Sequence, residues 1–383
     1  MGSGLKYSKK FNLIKTTTVG ANKCLYLAFG NGNETGAQNK FLREGFMKFP
    51  NPLWLAFLYA VCIWVPRAMA EVTELKLGHI DPKGSIYYLT TEEFARRVNE
   101  KLSGRVMIKV YRAGELGTEA EMLGQIERGE TDMALLGQIM PSIAPEFGAF
   151  ELPYIVLSRA HIKDIRQQLV GVYLQPALSQ KGLRLLGLWE TGFSHVTNNV
   201  RPISLPSDLK GLKIRVNPGS NEATIFRALG AVPQAVNLDA AYMLLKHGEI
   251  DAQHGPLIVI KNRRLSDVQK YLSLTRHTYL PAYLIMKEER LAALDPEVRQ
   301  ILASTAEEMQ DWALAEGEKL DATLIEGLSS KMTVNDVDLL AFVLASVPLY
   351  KDFTSKTPRG KELVKLLFDS SSLLATQRAE RGN

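Results

Sequence analysis

The stretch Asp208-Leu209-Lys210-Gly211-Leu212-Lys213-Ile214-Arg215-Val216 decides how this chain is read. Leu212, Ile214 and Val216 alternate with Lys213, Arg215 and Asn217, the period of two that marks a half-buried β-strand. A polar run with a turn at Pro218-Gly219 follows, then a helix-like segment through Ala223, Ile225, Phe226 and Leu229 to Gly230. Arg215 therefore stands near the carboxyl end of a strand, just before a strand-to-helix loop. In open α/β sheets, ligands bind outside those ends. An arginine there presents a planar fork of donors that fits a carboxylate bidentately. Spacing alone favours a plainer role, a surface arginine in a salt bridge; the rest of the chain shifts that balance.

The same alternation of strand and helix extends upstream. Glu74 to Ile80 reads as a strand ending in the turn Asp81-Pro82-Lys83-Gly84, and Thr91 to Leu102 as a helix closed by Ser103-Gly104. Val106 to Tyr111 is a second strand, Glu119 to Arg128 a helix, and Met133 to Gly137 a buried strand. This β-α-β-α-β order predicts an α/β fold with a partly parallel sheet. Arg159 to Gln180 reads as a helix broken by Gly171 and Pro176, and Leu183 to Trp189 as a strand. Thr191-Gly192 looks like a crossing point, with Val196 to Asn199 beyond it. Further strands are expected at Val232 to Val236, Glu249 to Ala252, Tyr271 to Pro281 and Tyr283 to Met286, with a short helix at Asp239 to Lys246. Pro296 then opens a helix of more than 30 residues, with Gly317 a possible bend.

Length and charge narrow the function. The 383 residues allow two or more domains. Of 46 Lys/Arg and 41 Asp/Glu, nine and two precede Glu71, leaving 37 and 39, a net of −2 that gives no reason to invoke nucleic acid. Both cysteines, Cys24 and Cys62, also precede Glu71, so neither a disulfide framework nor a thiolate metal site is possible after it. Met47-Lys48, an apolar run from Leu53 to Val65 and Ala68-Met69-Ala70 read as a secretory signal peptide over residues 47–70, with the mature chain starting at Glu71 in the periplasm. Residues 1–46 have no clear pattern and read as a disordered upstream extension from a start codon called too early. The tail past Ser371 is polar and expected to fray.

The mature chain holds no P-loop, G-x-G-x-x-G, H-E-x-x-H or G-x-S-x-G. His79, His161, His195, His247, His254 and His277 make no metal spacing, and no base–nucleophile pair is apparent. No cofactor and no metal are expected. Secretion, α/β units, no catalytic constellation and one well-placed arginine together suggest a binding protein.

An ordered set of short segments sharpens this. Met107-Ile108-Lys109-Val110-Tyr111, Gly114-Glu115-Leu116-Gly117, Gly129-Glu130-Thr131-Asp132-Met133, Leu152-Pro153-Tyr154, Arg201-Pro202-Ile203, the Asp208–Val216 stretch, Ala228-Leu229-Gly230-Ala231 and Val268-Gln269-Lys270-Tyr271 follow one another in order. Over about residues 74–350 the chain resembles the substrate-binding proteins of TRAP (tripartite ATP-independent periplasmic) transporters, the family-7 extracellular solute-binding proteins. The resemblance implies a two-domain periplasmic-binding-protein fold, type II-like, with a long helix spanning both domains. Domain I would comprise residues 71–191 with 281–320, and domain II 192–280 with 321–360, leaving a tail at 361–383. It implies cleft closure on an organic acid, delivery to integral-membrane permease subunits, and a signature arginine, here Arg215, on the carboxylate. A monomer is expected.

Other pocket positions depart from the family pattern. A second arginine often stands where this chain has Ser194, a glutamate where it has Ala240, and an asparagine where it has Gly255. A single cation argues for a monocarboxylate over a dicarboxylate, with an apolar or aromatic body. Trp189, Phe193 and Tyr154 could line such a pocket, or serve core packing equally well; His254, Asn217, Gly137 and His79 complete the candidate contacts. Two other functions stay open: a periplasmic sensing module for a signalling receptor, and a secreted enzyme on the same scaffold. A third is a pocket that has lost its solute and serves protein interaction.

Overall fold

The computed structural model describes residues 72–218 and 220–368, together with the backbone of two short strands, Thr16–Val19 and Asn22–Leu25. The chain divides into a unit at 1–67 and a unit at 68–383. In the first, the two short strands pair antiparallel, Thr16 opposite Leu25 and Val19 opposite Asn22. This pairing falls within residues 1–46, and its first strand is the β-favouring run Thr-Thr-Thr-Val. The remainder of 1–46, the signal segment 47–70 and the tail past 368 lie outside the described residues.

The second unit is built on one mixed sheet. Its strands are β1 (Thr73–Gly78), β2 (Val106–Tyr111), β3 (Met133–Leu136), β4 (Leu183–Asn198), β5 (Lys213–Val216), β6 (Val232–Ala235), β7 (Ala252–Pro256), β8 (Tyr271–Lys287) and β9 (Thr333–Asn335). The order across the sheet is β2-β1-β3-β8-β4-β7-β5-β6, with β9 also paired to β8. β1 runs parallel to β2 and β3, and β5 parallel to β6 and β7. Between these groups lie β4 and β8, 16 and 17 residues long and antiparallel to each other.

Each long strand was expected in two pieces. They are continuous because Gly192, at φ 117°, lets β4 bend where another residue would be strained, and because the register of β8 shifts locally instead of ending. Ser273 faces Val196 but Thr278 faces Ser194, so five steps on β8 match two on β4. The strand expected at Glu249 to Ala252 begins instead at Ala252. Gly248 caps the preceding helix in the left-handed region, and the Asp251 carboxylate accepts from Lys213 N at 2.9 Å.

Four buried apolar clusters form the core. The helix Pro296–Ser329, 34 residues, joins three of them, with Leu314 in the one that also holds Phe193 and Tyr279. Val298, Leu302 and Met309 pack with β1, β2 and the helix Ile86–Lys101, whereas Leu324 and Leu328 pack with Leu245, Leu257 and Leu272. The helix runs unbroken through Gly317. The expected tail at 361–383 starts too early, since Leu363 and Leu367 of the helix Gly360–Leu367 are fully buried beside Ile162 and Leu169. Amphipathic spacing, Leu363 to Leu367, is enough to dock that turn.

Candidate functional site

A cavity of about 440 Å³ opens among the strand ends, within the size range of small-molecule sites. Asp81 follows β1, Gly137 follows β3, Ser194 lies on β4, Arg215 and Asn217 sit on and after β5, and His254 lies on β7. The open alternation of β5 sends Ile214 and Val216 into one core cluster, while Arg215 reaches the cavity.

Arg215 is only 3% exposed. Its Nε donates to the Val236 carbonyl at 2.8 Å, and its Nη2 donates to Asn217 Oδ1. Both acceptors are neutral, and among the described residues no carboxylate forms an ion pair with it. Burial lowers its pKa, an effect that nearby Glu222 opposes. A buried guanidinium without a counter-charge is costly, and a bound carboxylate would compensate it.

Asn217 leads from the arginine into a chain of polar contacts. Its backbone N and Nδ2 donate to Glu222 at 2.7 and 3.1 Å. His254 Nε2 lies 3.2 Å from Glu222 Oε2. Burial pushes the Glu222 carboxyl up, but His254 and the Asn217 N–H groups outweigh it and hold the pKa at about 2. His254 Nδ1 and His277 Nε2 are 3.3 Å apart, and His277 Nδ1 meets Thr275 Oγ1 at 2.8 Å. The shifted register of β8 is what brings His277 here. Thr275 lies outside the cavity lining, so this histidine–hydroxyl pair offers no nucleophile to a bound solute.

The wall contributed by β1, β3 and the loops after them is acidic. Burial raises Asp81 to about 6, against the pull of the Ser85 hydroxyl. Burial also raises Glu119, although Gly137 N and Ile139 N each donate to it at 2.9 Å. Burial raises Glu151, with Asn221 Nδ2 donating at 2.6 Å. None of the three forms an ion pair among the described residues. A Cβ at Gly137 would sit 2.5 Å from Tyr87 Oη, so the glycine lets the tyrosine hydroxyl approach the strand end.

Of the residues singled out from sequence, Arg215, Asn217, Ser194, His254 and Gly137 line the cavity. Trp189, Phe193, Tyr154 and His79 do not. Trp189 is core: its Nε1 donates to Ala306 O at 3.1 Å and its ring packs on Phe94. Phe193 neighbours Ser194 on a strand, so the pleat sends it to the other face, against Tyr279 and Arg159. Tyr154 packs on Phe342, held at φ 58°. His79 is fully buried beside Tyr88, and burial lowers its pKa to about 4. The aromatic side chains that do line the cavity are Tyr87, Tyr279, Tyr283, Phe147, Phe150 and Phe226. Asp81, Glu119, Glu151 and Glu222 were also missed. The strand-end rule that picks out Arg215 would have picked out Asp81.

Among the described residues no group of three or more His, Cys, Asp or Glu side chains is placed to hold a metal ion, and no helix is long and apolar enough to cross a membrane.

Residues 77–357 match the model of the bacterial extracellular solute-binding proteins, family 7. This chain belongs to that family. Among its family-7 relatives is the 2,3-diketo-L-gulonate-binding periplasmic protein of Escherichia coli, 28% identical over 83% of this chain and 98% of the relative. The C4-dicarboxylate-binding protein of Bacillus subtilis is 26% identical over 77% of this chain and 85% of its own. The crystal structure of a TRAP periplasmic solute-binding protein from Ochrobactrum anthropi superposes with a TM-score of 0.75 at 27% identity, over 81% of this chain and 98% of that one. The fold is thus the α/β fold of the TRAP solute-binding proteins, with its long helix.

Proposed function

We propose that this chain is the periplasmic solute-binding component of a TRAP-type transporter, and that it captures an organic acid through a carboxylate on Arg215. The observation that carries this is the arginine itself: buried at a cavity, hydrogen-bonded only to neutral acceptors, in a family of solute-binding proteins. One such cation supports a monocarboxylate over a dicarboxylate. Relatives named for a sugar acid and for C4-dicarboxylates do not decide between them. Integral-membrane permease subunits would receive the solute, after export through residues 47–70.

Closure belongs to the same proposal. The two parts would be residues 71–191 with 281–320, and 192–280 with 321–360, exchanging at the long strands. The separate apolar clusters on the two sides of those strands favour this division. A solute touching both parts would stabilise the closed state by its differential affinity. Isothermal titration of wild type and Arg215→Ala with mono- and dicarboxylates is the test. A monocarboxylate bound by wild type and lost in the variant is expected; binding untouched by the substitution would refute the clamp.

A further inference from the structure

The cavity is charged in an unequal way. Arg215 and Asn217 stand on one side of it. Asp81, Glu119 and Glu151, from the β1 and β3 side, bring three carboxyl groups and no cation. Asp81 raises the pKa of Glu119, and Glu222 raises that of Glu151, so these groups repel one another across the lining. Arg215 interacts appreciably only with Glu222 among them. The acidic wall therefore has no counter-charge from the protein among the described residues. A fully buried hydroxyl, that of Tyr283, also lines the cavity with no hydrogen-bond partner.

A plain monocarboxylate would satisfy Arg215 and leave this wall unanswered. Closing the cleft over it would bury three carboxyl groups that have hydrogen bonds but no cation, which is unfavourable. A hydroxyl could donate one hydrogen bond but would not neutralise charge. A ligand ammonium or other cationic nitrogen does both, with up to three donors.

We infer that the solute is zwitterionic: a carboxylate for Arg215 and a cationic nitrogen for the wall formed by Asp81, Glu119 and Glu151. This deepens the organic-acid reading above and rests on it. It also replaces the expectation of an apolar or aromatic body, since three of the side chains invoked for that body lie in the core.

The experiment is calorimetric titration of the purified protein with matched series. Each carbon skeleton of three to six atoms is offered as the amino acid, the hydroxy acid and the unsubstituted acid, with α- and ω-substitution. At least one amino acid is expected to bind tenfold or more tightly than both analogues. Asp81→Asn and, separately, Glu151→Gln should each shrink that preference several-fold, and circular dichroism reports whether either variant is folded. Hydroxy or unsubstituted acids that bind as tightly as every amino acid, with Arg215→Ala abolishing binding, would overturn the zwitterion and leave the carboxylate clamp standing. Silence from every acid would overturn the clamp, and this inference with it.

Discussion

Arg159 and Arg215 are both drawn well into the molecule, and their surroundings differ. Arg159 donates from Nε to Glu190 Oε1 at 2.7 Å and from Nη2 to Asp321 Oδ2 at 2.6 Å. Arg215 donates to a carbonyl and an amide oxygen. The first is answered twice by the protein's own carboxylates, beside the long helix, and is not part of the cavity lining. The second is left with its charge unmatched, in a lining that already contains acids placed elsewhere. The protein can therefore pair a buried arginine fully when it needs to, and at Arg215 it does not. That contrast, more than burial or residue type, is what supports the proposed carboxylate role of Arg215.

The comparison breaks most readily at Arg159. Replacing it with alanine leaves the Glu190 carboxyl, 1% exposed, without its cation, and loss of one partner from a buried pair typically destabilises by about 3–5 kcal/mol. Urea denaturation of Arg159→Ala should show a loss in that range, with Arg215→Ala near wild type. Equal losses would mean that the two arginines are not different in kind.

The same cluster should register pH. Burial raises Glu190 to about 7, more than Arg159 holds it down, from an ordinary value of 4.5. The folded state therefore binds the proton more tightly than the unfolded state. Glu190 contributes stability that is complete below 4.5 and is lost as pH rises through 7. Integrated over that window the effect is about 3 kcal/mol. His79, lowered to about 4, has the opposite sign over part of the same window, so the comparison is wild type against Glu190→Gln. The stability difference between the two should shrink steadily from pH 4.5 to 7. A flat difference would mean that the carboxylate is ionised throughout and fully held by Arg159.

Arg215→Ala sharpens the other half. Loss of a charge-assisted bidentate contact should weaken carboxylate binding roughly hundredfold, about 2.7 kcal/mol. Melting temperature without ligand should hardly move, because the substitution removes an uncompensated buried charge along with two hydrogen bonds. Arg215→Lys should recover only part of the affinity, since an ammonium lacks the planar fork.

Much of this was legible from sequence where the signal is local. The strand at Val106–Tyr111 and the helix at Glu119–Arg128 fall at their expected ends, because alternation, the Thr118 capping box and Gly129 are all short-range. Arg215 was legible because its strand and the loop after it are contiguous. The long strands were not, since Gly192 and Pro281 interrupt the alternation that defines a strand. The acidic wall was not, because Asp81 follows a strand, Glu119 starts the helix Glu119–Arg128 and Glu151 ends a 3-10 helix, and they meet only in the folded chain. The aromatic residues misled for a related reason. A tryptophan or tyrosine has no sequence mark that tells cavity from core, and Trp189 and Tyr154 both fill core.

Gly317 gives the smallest expected effect and the sharpest test of how Arg159 is held. A Cβ there would overlap Glu190 Oε1, the atom that accepts from Arg159 Nε. In a 34-residue helix a glycine is otherwise a liability, roughly 1 kcal/mol worse than alanine. Alanine would improve the helix but drive the carboxylate off the guanidinium, and overpacking of this kind destabilises by about 1–3 kcal/mol. The net loss should be smaller than in Arg159→Ala and accompanied by a changed pH slope. Gly317→Ala in the Glu190→Ala background should instead stabilise, because the overlap with the carboxylate is gone and the Arg159 Nη2, 3.2 Å from that Cβ, can give way at the end of its side chain. A double-mutant cycle measures that reversal directly. If Gly317→Ala stabilises even with Glu190 present, the carboxylate has room to move, and the fixed pairing that sets Arg159 apart from Arg215 is weaker than its distances imply.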